Sequence, residues 1–127
     1  MNIKYVFNPD TEATGAVAIK YAGSCAEGIE PMIAAGLVNK GYVKPAELVP
    51  IQTIRTWAKP KDGVDTFDEN VGKEVARDKL LIAYYNRLAA KHDAYVKALE
   101  KELASATRNA NYIKKKKKNA EERLKMY

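Results

Sequence analysis

Cysteine, histidine and long apolar runs are scarce in this chain, and each scarcity excludes a class of protein. Cys25 is the only cysteine, so no intramolecular disulfide can form. One cysteine and one histidine cannot supply a four-ligand zinc site. No apolar run reaches the ~18 residues that a membrane span needs. Residues 1–10 lack the apolar core of a signal peptide. We therefore expect a protein of the cytoplasm that has no metal and no other cofactor.

Recognisable catalytic motifs are also missing. The sequence contains no phosphate loop, no nucleophile elbow and no metal-binding motif. His92 stands beside Asp93, but the sequence places no nucleophile or metal ligand near it. Asp68 and Glu69 are explained by the start of a helix, where the helix dipole favours negative charge. We therefore do not expect an enzyme.

Proline is absent after Pro60, and the second half of the chain has the periodicity of a helix. Thr66 and Glu69 form a capping box, which predicts a helix start at that point. We predict one α+β domain with two parts. Residues 1–65 form a small antiparallel sheet with a short helix, and residues 66–127 form long helices that make a hairpin or a coiled-coil assembly.

The first part contains three candidate strands. Residues 2–7 alternate in polarity, and Val17, Ile19 and Tyr21 repeat the alternation, which predicts an antiparallel hairpin. Residues 51–58 have the composition of a third strand, with Arg55 and Trp57 on one face. A short helix over residues 32–38 begins either at a Ser24 capping box or just before Pro31, and a turn or short helix follows between Pro45 and Pro50.

Beyond Thr66, apolar residues recur at alternating spacings of three and four, and we call this set the long stripe. Its apolar members are Val71, Val75, Ile82, Tyr85, Ala89, Val96, Leu99, Leu103, Ala106, Ala110 and Ile113. Asp78 and His92 fall on the same stripe. A second stripe, which carries Leu81, Tyr84, Leu88 and Tyr95, makes the apolar face broad. That breadth favours a bundle or a dimer.

One straight helix over residues 67–113 would be ~70 Å long, which is too long for a small monomer to cover. Either the helix folds back on itself or a second subunit covers it. Thr107, Asn109 and Asn111 form the stretch least favourable to helix. We predict a turn or kink within residues 105–111, with a final helix running to Tyr127.

The net charge of +6 is unevenly distributed. Residues 1–70 hold 7 Lys/Arg and 9 Asp/Glu (−2), and residues 71–127 hold 15 and 7 (+8). Such a basic half indicates either an anionic partner or a solvated surface. A run of five lysines is the candidate for binding nucleic acid through its phosphates, and its alternative is a solvated helix face. The run consists of Lys114, Lys115, Lys116, Lys117 and Lys118.

Two groups of residues are candidates for binding a phosphorylated small molecule. Arg55, Trp57 and Phe67 could stack on a base and pair with phosphate. Their alternative role is structural, with both aromatic rings in the core and Arg55 at its edge. Arg77, Tyr84 and Arg87 could line a pocket on the helix, or they could belong to an interface between helices or subunits.

The run from Ala58 to Arg77 resembles a segment common in small phage-encoded proteins. In them a strand ends in a short loop and an Asp-x-Phe-Asp-x-x-x-Gly-x-x-x-Ala helix follows, which here spans Asp65 to Ala76. The layout of residues 51–95 is similar to that of the phage family that counters Thoeris defence by sequestering cyclic ADP-ribose-type signals. That resemblance implies a small antiparallel sheet and long helices that assemble subunits.

Three functions therefore compete. The first is a non-enzymatic phage counter-defence protein that sequesters a cyclic ADP-ribose-type nucleotide at an interface between subunits of a homo-oligomer. The second is a nucleic-acid-binding protein that uses its basic helices. The third is an oligomeric structural or protein-inhibiting module.

Overall fold

The computed structural model describes residues 2–18, 23–59 and 69–127. Its elements are strand β1 (Ile3–Asn8), strand β2 (Ala13–Ala18), helix α1 (Pro31–Asn39), a 3₁₀ turn (Pro45–Glu47), strand β3 (Ile54–Ala58) and helix α2 (Glu69–Leu124). This arrangement confirms the α+β expectation. Ile19, Tyr21, Thr66 and Phe67, on which parts of the strand, capping and ligand predictions rest, lie outside the described residues.

The three strands form one antiparallel sheet in the order β1-β2-β3. The predicted hairpin is confirmed, with Ile3 opposite Ala18 and Asn8 opposite Ala13. β2 begins at Ala13, four residues before the run from Val17 that predicts it, and Gly15 lies within the strand. β3 pairs with the other edge of β2, where Ala16 faces Thr56. The short helix begins at Pro31, with Glu30 as its N-cap accepting a hydrogen bond from the Met32 amide.

One face of the sheet packs on α2 through small side chains. Ala16 of β2 and Ala76 of α2 are fully buried, and Leu80 fills the space beside them. Thr56 Oγ1 donates a hydrogen bond of 2.7 Å to the Ala76 carbonyl, which ties β3 to the helix. The helix and the sheet can approach closely because few large side chains stand between them.

The segment around α1 forms a second apolar cluster farther along α2. Leu37 of α1 and Leu48 meet Ala98 of α2, and Leu88 packs against both clusters. Lys40, just beyond α1, forms an ion pair with Glu102, and this hydrogen-bonded carboxylate raises the pKa of the Lys40 ammonium. α2 is therefore held along one side by the sheet and then by the α1 segment.

The turn predicted within residues 105–111 is wrong, because α2 continues without interruption through this stretch to Leu124. A helix of 56 residues is ~84 Å long. Thr107, Asn109 and Asn111 are weak helix formers, yet each disfavours helix by less than about 1 kcal/mol, and no Pro or Gly accompanies them. The residues from 106 onward are all exposed.

Gly72 lies at a close contact between α2 and β2. A Cβ atom at this position would stand 2.7 Å from Thr14 Oγ1, well inside contact distance. Thr14 is 1% exposed, and within the described part of the chain its hydroxyl has no hydrogen-bond partner. The small residue at 72 therefore sets the distance between helix and sheet.

We predict that Gly72→Ala destabilises the fold by about 1–3 kcal/mol, because the added methyl group overpacks the contact with Thr14. Thr14→Ala removes the buried hydroxyl, so the double variant should recover most of the loss. Urea unfolding of the single and double variants measures both effects.

Gly36→Ala is the matched control, because no atom lies within 4 Å of a Cβ atom there. It should leave stability unchanged or raise it by up to about 1 kcal/mol, since alanine favours helix. Equal losses from Gly72→Ala and Gly36→Ala would contradict the close-contact explanation.

Candidate functional site

Arg55 and Trp57 lie together on the face of the sheet that points away from α2, as their spacing predicts. Ile54 and Ala58 are buried toward the helix, whereas Arg55 and Trp57 alternate with them and are exposed. Lys79 Nζ donates to the Trp57 carbonyl from the helix side at 3.1 Å. The two candidate residues thus share a surface, which we call the outer face.

Gly15 makes room for the indole ring on the outer face. A Cβ atom on Gly15 would lie 3.0 Å from Trp57 Cζ3 and 2.8 Å from Val6 Cγ2. Trp57 still keeps 48% of its surface exposed. Lys4 and Arg55 flank Val17 in the neighbouring row of the sheet. The outer face therefore combines one exposed aromatic ring with two cations.

The side chain of Tyr84 is buried in the core and is not accessible to a ligand from solvent. Its ring is 6% exposed in the core beneath the sheet, and its hydroxyl donates to Glu27 Oε2 at 2.6 Å. His92 Nε2 lies 2.7 Å from the Glu27 carbonyl oxygen, so the ring must carry its proton on that nitrogen to donate. Both contacts fasten the segment around Glu27 to α2.

The predicted ligand-binding residues do not meet at one point. Arg77 and Arg87 are exposed on α2, ten residues and so ~15 Å apart along its axis. Arg55 and Trp57 lie on the opposite side of the sheet from α2. The part of the chain that the structure describes thus separates the strand residues from the helix residues.

A cleft of about 470 Å³ separates α2 from the segment that precedes β3, and Arg87 is one of its walls. Its polar lining is Arg87, Lys91, Gln52 and Glu47, and Val49, Pro50 and Ile51 supply an apolar wall. Lys91 Nζ also approaches the Ala46 carbonyl oxygen at 3.4 Å. The cleft thus offers two cations beside an apolar surface.

Gln52 and Glu47 are neighbours of Arg87 in the cleft, although the sequence carries no sign of it. Gln52 belongs to an extended segment before β3, and Glu47 caps the 3₁₀ turn by accepting from the Lys44 amide. No local pattern joins these positions to a residue 35 and 40 places later, respectively. Only the packing of the two core clusters brings them together.

The last 22 residues form a solvated, positively charged end of α2, which we call the basic tip (residues 106–127). They contain 8 Lys/Arg and 2 Asp/Glu, a net charge of +6. Residues 1–105 hold 14 of each sign, a net charge of zero. The basic tip therefore carries the whole net charge of the chain.

The lysine run surrounds the axis of the basic tip instead of forming one patch. Successive residues of a helix are about 100° apart, so five consecutive lysines point in all directions. Lys116 Nζ lies 5.3 Å from the centre of the Tyr112 ring, and Lys117 Nζ lies 3.7 Å from Glu121 Oε1. The positive field of the tip is therefore open to an anionic partner from any side.

Comparison with known proteins gave no relative: no protein-family model, no curated protein and no solved structure matches the chain. The resemblance to the Thoeris-countering family therefore stays a prediction. Within residues 2–18, 23–59 and 69–127, no group of three or more His, Cys, Asp or Glu side chains could hold a metal ion. No helix in the described ranges is long and apolar enough to cross a membrane.

We predict that Tyr84→Phe lowers the free energy of unfolding by about 1 kcal/mol, because it removes the hydrogen bond to Glu27. Tyr85→Phe is the control: its side chain is 58% exposed, and the substitution should change stability by less than about 0.5 kcal/mol. Thermal unfolding compares the two. A Tyr84→Phe protein as stable as the parent would show that the hydroxyl contact does not hold the Glu27 segment.

Proposed function

We propose that this protein is a non-enzymatic, self-associating protein of the cytoplasm that binds nucleic acid through its basic tip. The observation that carries this proposal is the separation of charge: a solvated helical end with a net charge of +6 is joined to a body with a net charge of zero. The body then contributes no net repulsion or attraction, and the tip alone draws a polyanion.

The expected binding is electrostatic and independent of base sequence. Lysines that neutralise phosphates release condensed counterions, which makes affinity fall steeply as salt rises. The lysines of the tip point all round the helix, so they fit a charged backbone better than a fixed set of base edges. Binding should therefore be similar for different sequences of equal length.

We predict that replacing Lys114, Lys115 and Lys118 by Ser weakens binding to a duplex DNA or RNA of mixed sequence. The slope of log affinity against log salt should become shallower by about 2, because fewer counterions are released. Fluorescence anisotropy at several salt concentrations measures this slope.

The matched control replaces the exposed lysines Lys44, Lys59 and Lys97 by Ser, which removes the same charge from the body. Its salt slope should equal that of the parent. An equal effect of both triple variants would mean that net charge alone matters, and no binding at low salt would remove the proposal.

The cleft beside Arg87 supports a second candidate, the sequestration of a cyclic ADP-ribose-type nucleotide by a phage counter-defence protein. Its volume of about 470 Å³ lies in the range of small-molecule sites. Arg87 and Lys91 could pair with a pyrophosphate group, and the Pro50–Ile51 wall could cover a base or a ribose. The resemblance of residues 51–95 to the Thoeris-countering family supports the same ligand class.

For this second candidate we predict that cyclic ADP-ribose isomers raise the melting temperature of the parent protein, since a ligand that binds only the folded state stabilises it. Arg87→Gln should abolish most of the shift, whereas Arg77→Gln, outside the cleft on the same helix, should retain it. If the parent protein shows neither binding heat in calorimetry nor a shift in melting temperature, it does not bind the cyclic nucleotide. If Arg87→Gln and Arg77→Gln lose the shift equally, the cleft is not the binding site.

A further inference from the structure

Most of the long stripe faces away from the body of the molecule; its member His92 is the exception, because His92 Nε2 lies 2.7 Å from the Glu27 carbonyl oxygen. Leu80 and Ala98 mark the side of α2 that is buried against the sheet and the α1 segment. At about 100° per residue, Ile82, Tyr85 and Val96 lie roughly opposite that side. The body therefore buries the face of α2 that carries Ala76, Leu80 and Tyr84, and it leaves most large apolar side chains of the stripe exposed to solvent.

The exposed apolar area on this face is large for a small protein. Eight large apolar members of the stripe keep between 37% and 67% of their surface exposed. With side chains of ordinary size they present roughly 700–800 Å² of apolar surface, close to the ~800 Å² that each partner contributes to a standard protein interface. A single partner helix of equal length would cover it.

The spacing of the stripe continues to the end of α2. Steps of four, three and four lead from Ile113 to Lys117, Ala120 and Leu124. A strict alternation of three and four is the 3.5-residue repeat of a left-handed coiled coil. The repeat spans α2 from Val71 to Leu124, and its ionisable members besides Tyr85 are one acid, Asp78, one histidine, His92, and one lysine, Lys117.

We propose that α2 pairs with α2 of a second copy as an antiparallel coiled coil, with Asp78 of each copy facing Lys117 of the other. This inference rests on the self-association included in the proposed function. The two-fold axis passes between Val96 and Leu99, so Val96 faces the partner's Leu99. The same patch then serves both copies, as a symmetric dimer requires.

This register also overlaps the two helices from end to end. Its centre between Val96 and Leu99 nearly coincides with the middle of Glu69–Leu124. Val71 then faces the partner's Leu124, and Ile82 faces the partner's Ile113. A shift by one heptad would leave about 10 Å of helix unpaired at each end and would separate Asp78 from Lys117.

In the layers between these pairs, alanine side chains leave room for the larger residue or for close approach of the two helices. Tyr85 lies opposite the partner's Ala110, and Ala89 lies opposite the partner's Ala106. The orientation of Tyr85 is set by an edge-to-face contact with Tyr84, whose ring centre is 5.4 Å away. The bulky ring thus stands where the facing residue leaves space.

Charge selects the antiparallel direction over the parallel one. A parallel pair would place Asp78 against Asp78 and Lys117 against Lys117, and it would set two basic tips of +6 side by side. The antiparallel pair separates the tips by most of the length of the helix and converts both repulsions into attractions. Lys115 lies on the side of the tip away from Lys117, so it stays accessible to nucleic acid.

Single cysteines in a Cys25→Ala background test the direction and the register. Under mild oxidation, a mixture of the Ala89→Cys and Ala106→Cys proteins should give a disulfide-linked dimer, because the two positions face each other. Each protein alone should give little, because equal positions lie ~25 Å apart in the antiparallel register. Linkage of Ala89→Cys to itself, or no linkage in the mixture, overturns the proposal.

Charge reversal tests the Asp78–Lys117 contact. Asp78→Lys and Lys117→Asp should each raise the dissociation constant of the dimer by about 30-fold, because two attractions per dimer become repulsions. The double variant should recover most of the loss in sedimentation equilibrium. If the losses of affinity from the two single variants simply add in the double variant, Asp78 does not contact Lys117 of the partner.

The outcomes separate this inference from the proposed function. If the parent protein is a monomer by light scattering, both the self-association and the antiparallel pairing are wrong. If it is a dimer with another linkage pattern, only the antiparallel register is wrong. Nucleic-acid binding is measured with the Lys114, Lys115 and Lys118 variant and can fail or succeed independently of either result.

Discussion

The close approach of α2 to β2 is the contact on which the rest of the structure depends. Gly72 and Ala76 on the helix meet Thr14 and Ala16 on the strand, and no larger side chain fits between them. A contact made of small residues buries little apolar area per residue, so Leu80 and the Thr56 hydrogen bond to the helix backbone add to its stability. Because the sheet binds α2 near its beginning, most of the helix extends away from the sheet.

Because the body contacts α2 over a narrow area, α2 has one apolar face that is buried and a second that is largely exposed. The face with Ala76, Leu80 and Ala98 is flat enough to lie against a sheet and a short helix. The face with Ile82, Tyr85 and Leu103 carries larger side chains, and these three stay more than half exposed; His92, on the same face, is the residue that the body contacts. Burial of this second face would therefore require a surface of another molecule.

The sequence predicts the elements well and their relations less well. Alternation in β1 and β3, Pro31 at the start of α1 and the 3–4 spacing of α2 are local signals, and each identifies its element. The turn within residues 105–111 was wrong because it rested on weak propensities, which a helix tolerates where neither Pro nor Gly interrupts it. Tyr84 is a candidate for either a ligand pocket or an interface in the sequence, because spacing defines a face of α2 but not what covers it. By contrast, the alternation of side chains along β3 correctly predicts that Arg55 and Trp57 lie on the same face of the sheet.

In the proposed dimer, nucleic-acid binding and assembly would use different residues of α2. The stripe uses one position in every three or four, so even within the lysine run only Lys117 belongs to it. The remaining lysines project from other sides of the helix, where a partner helix leaves them in water. An antiparallel pair would then present one basic tip at each end of a rod, each beside the neutral body of the other copy. Two separated sites of this kind favour a polyanion long enough to reach both over a short one that reaches only one, because engagement of the first tip raises the effective concentration at the second.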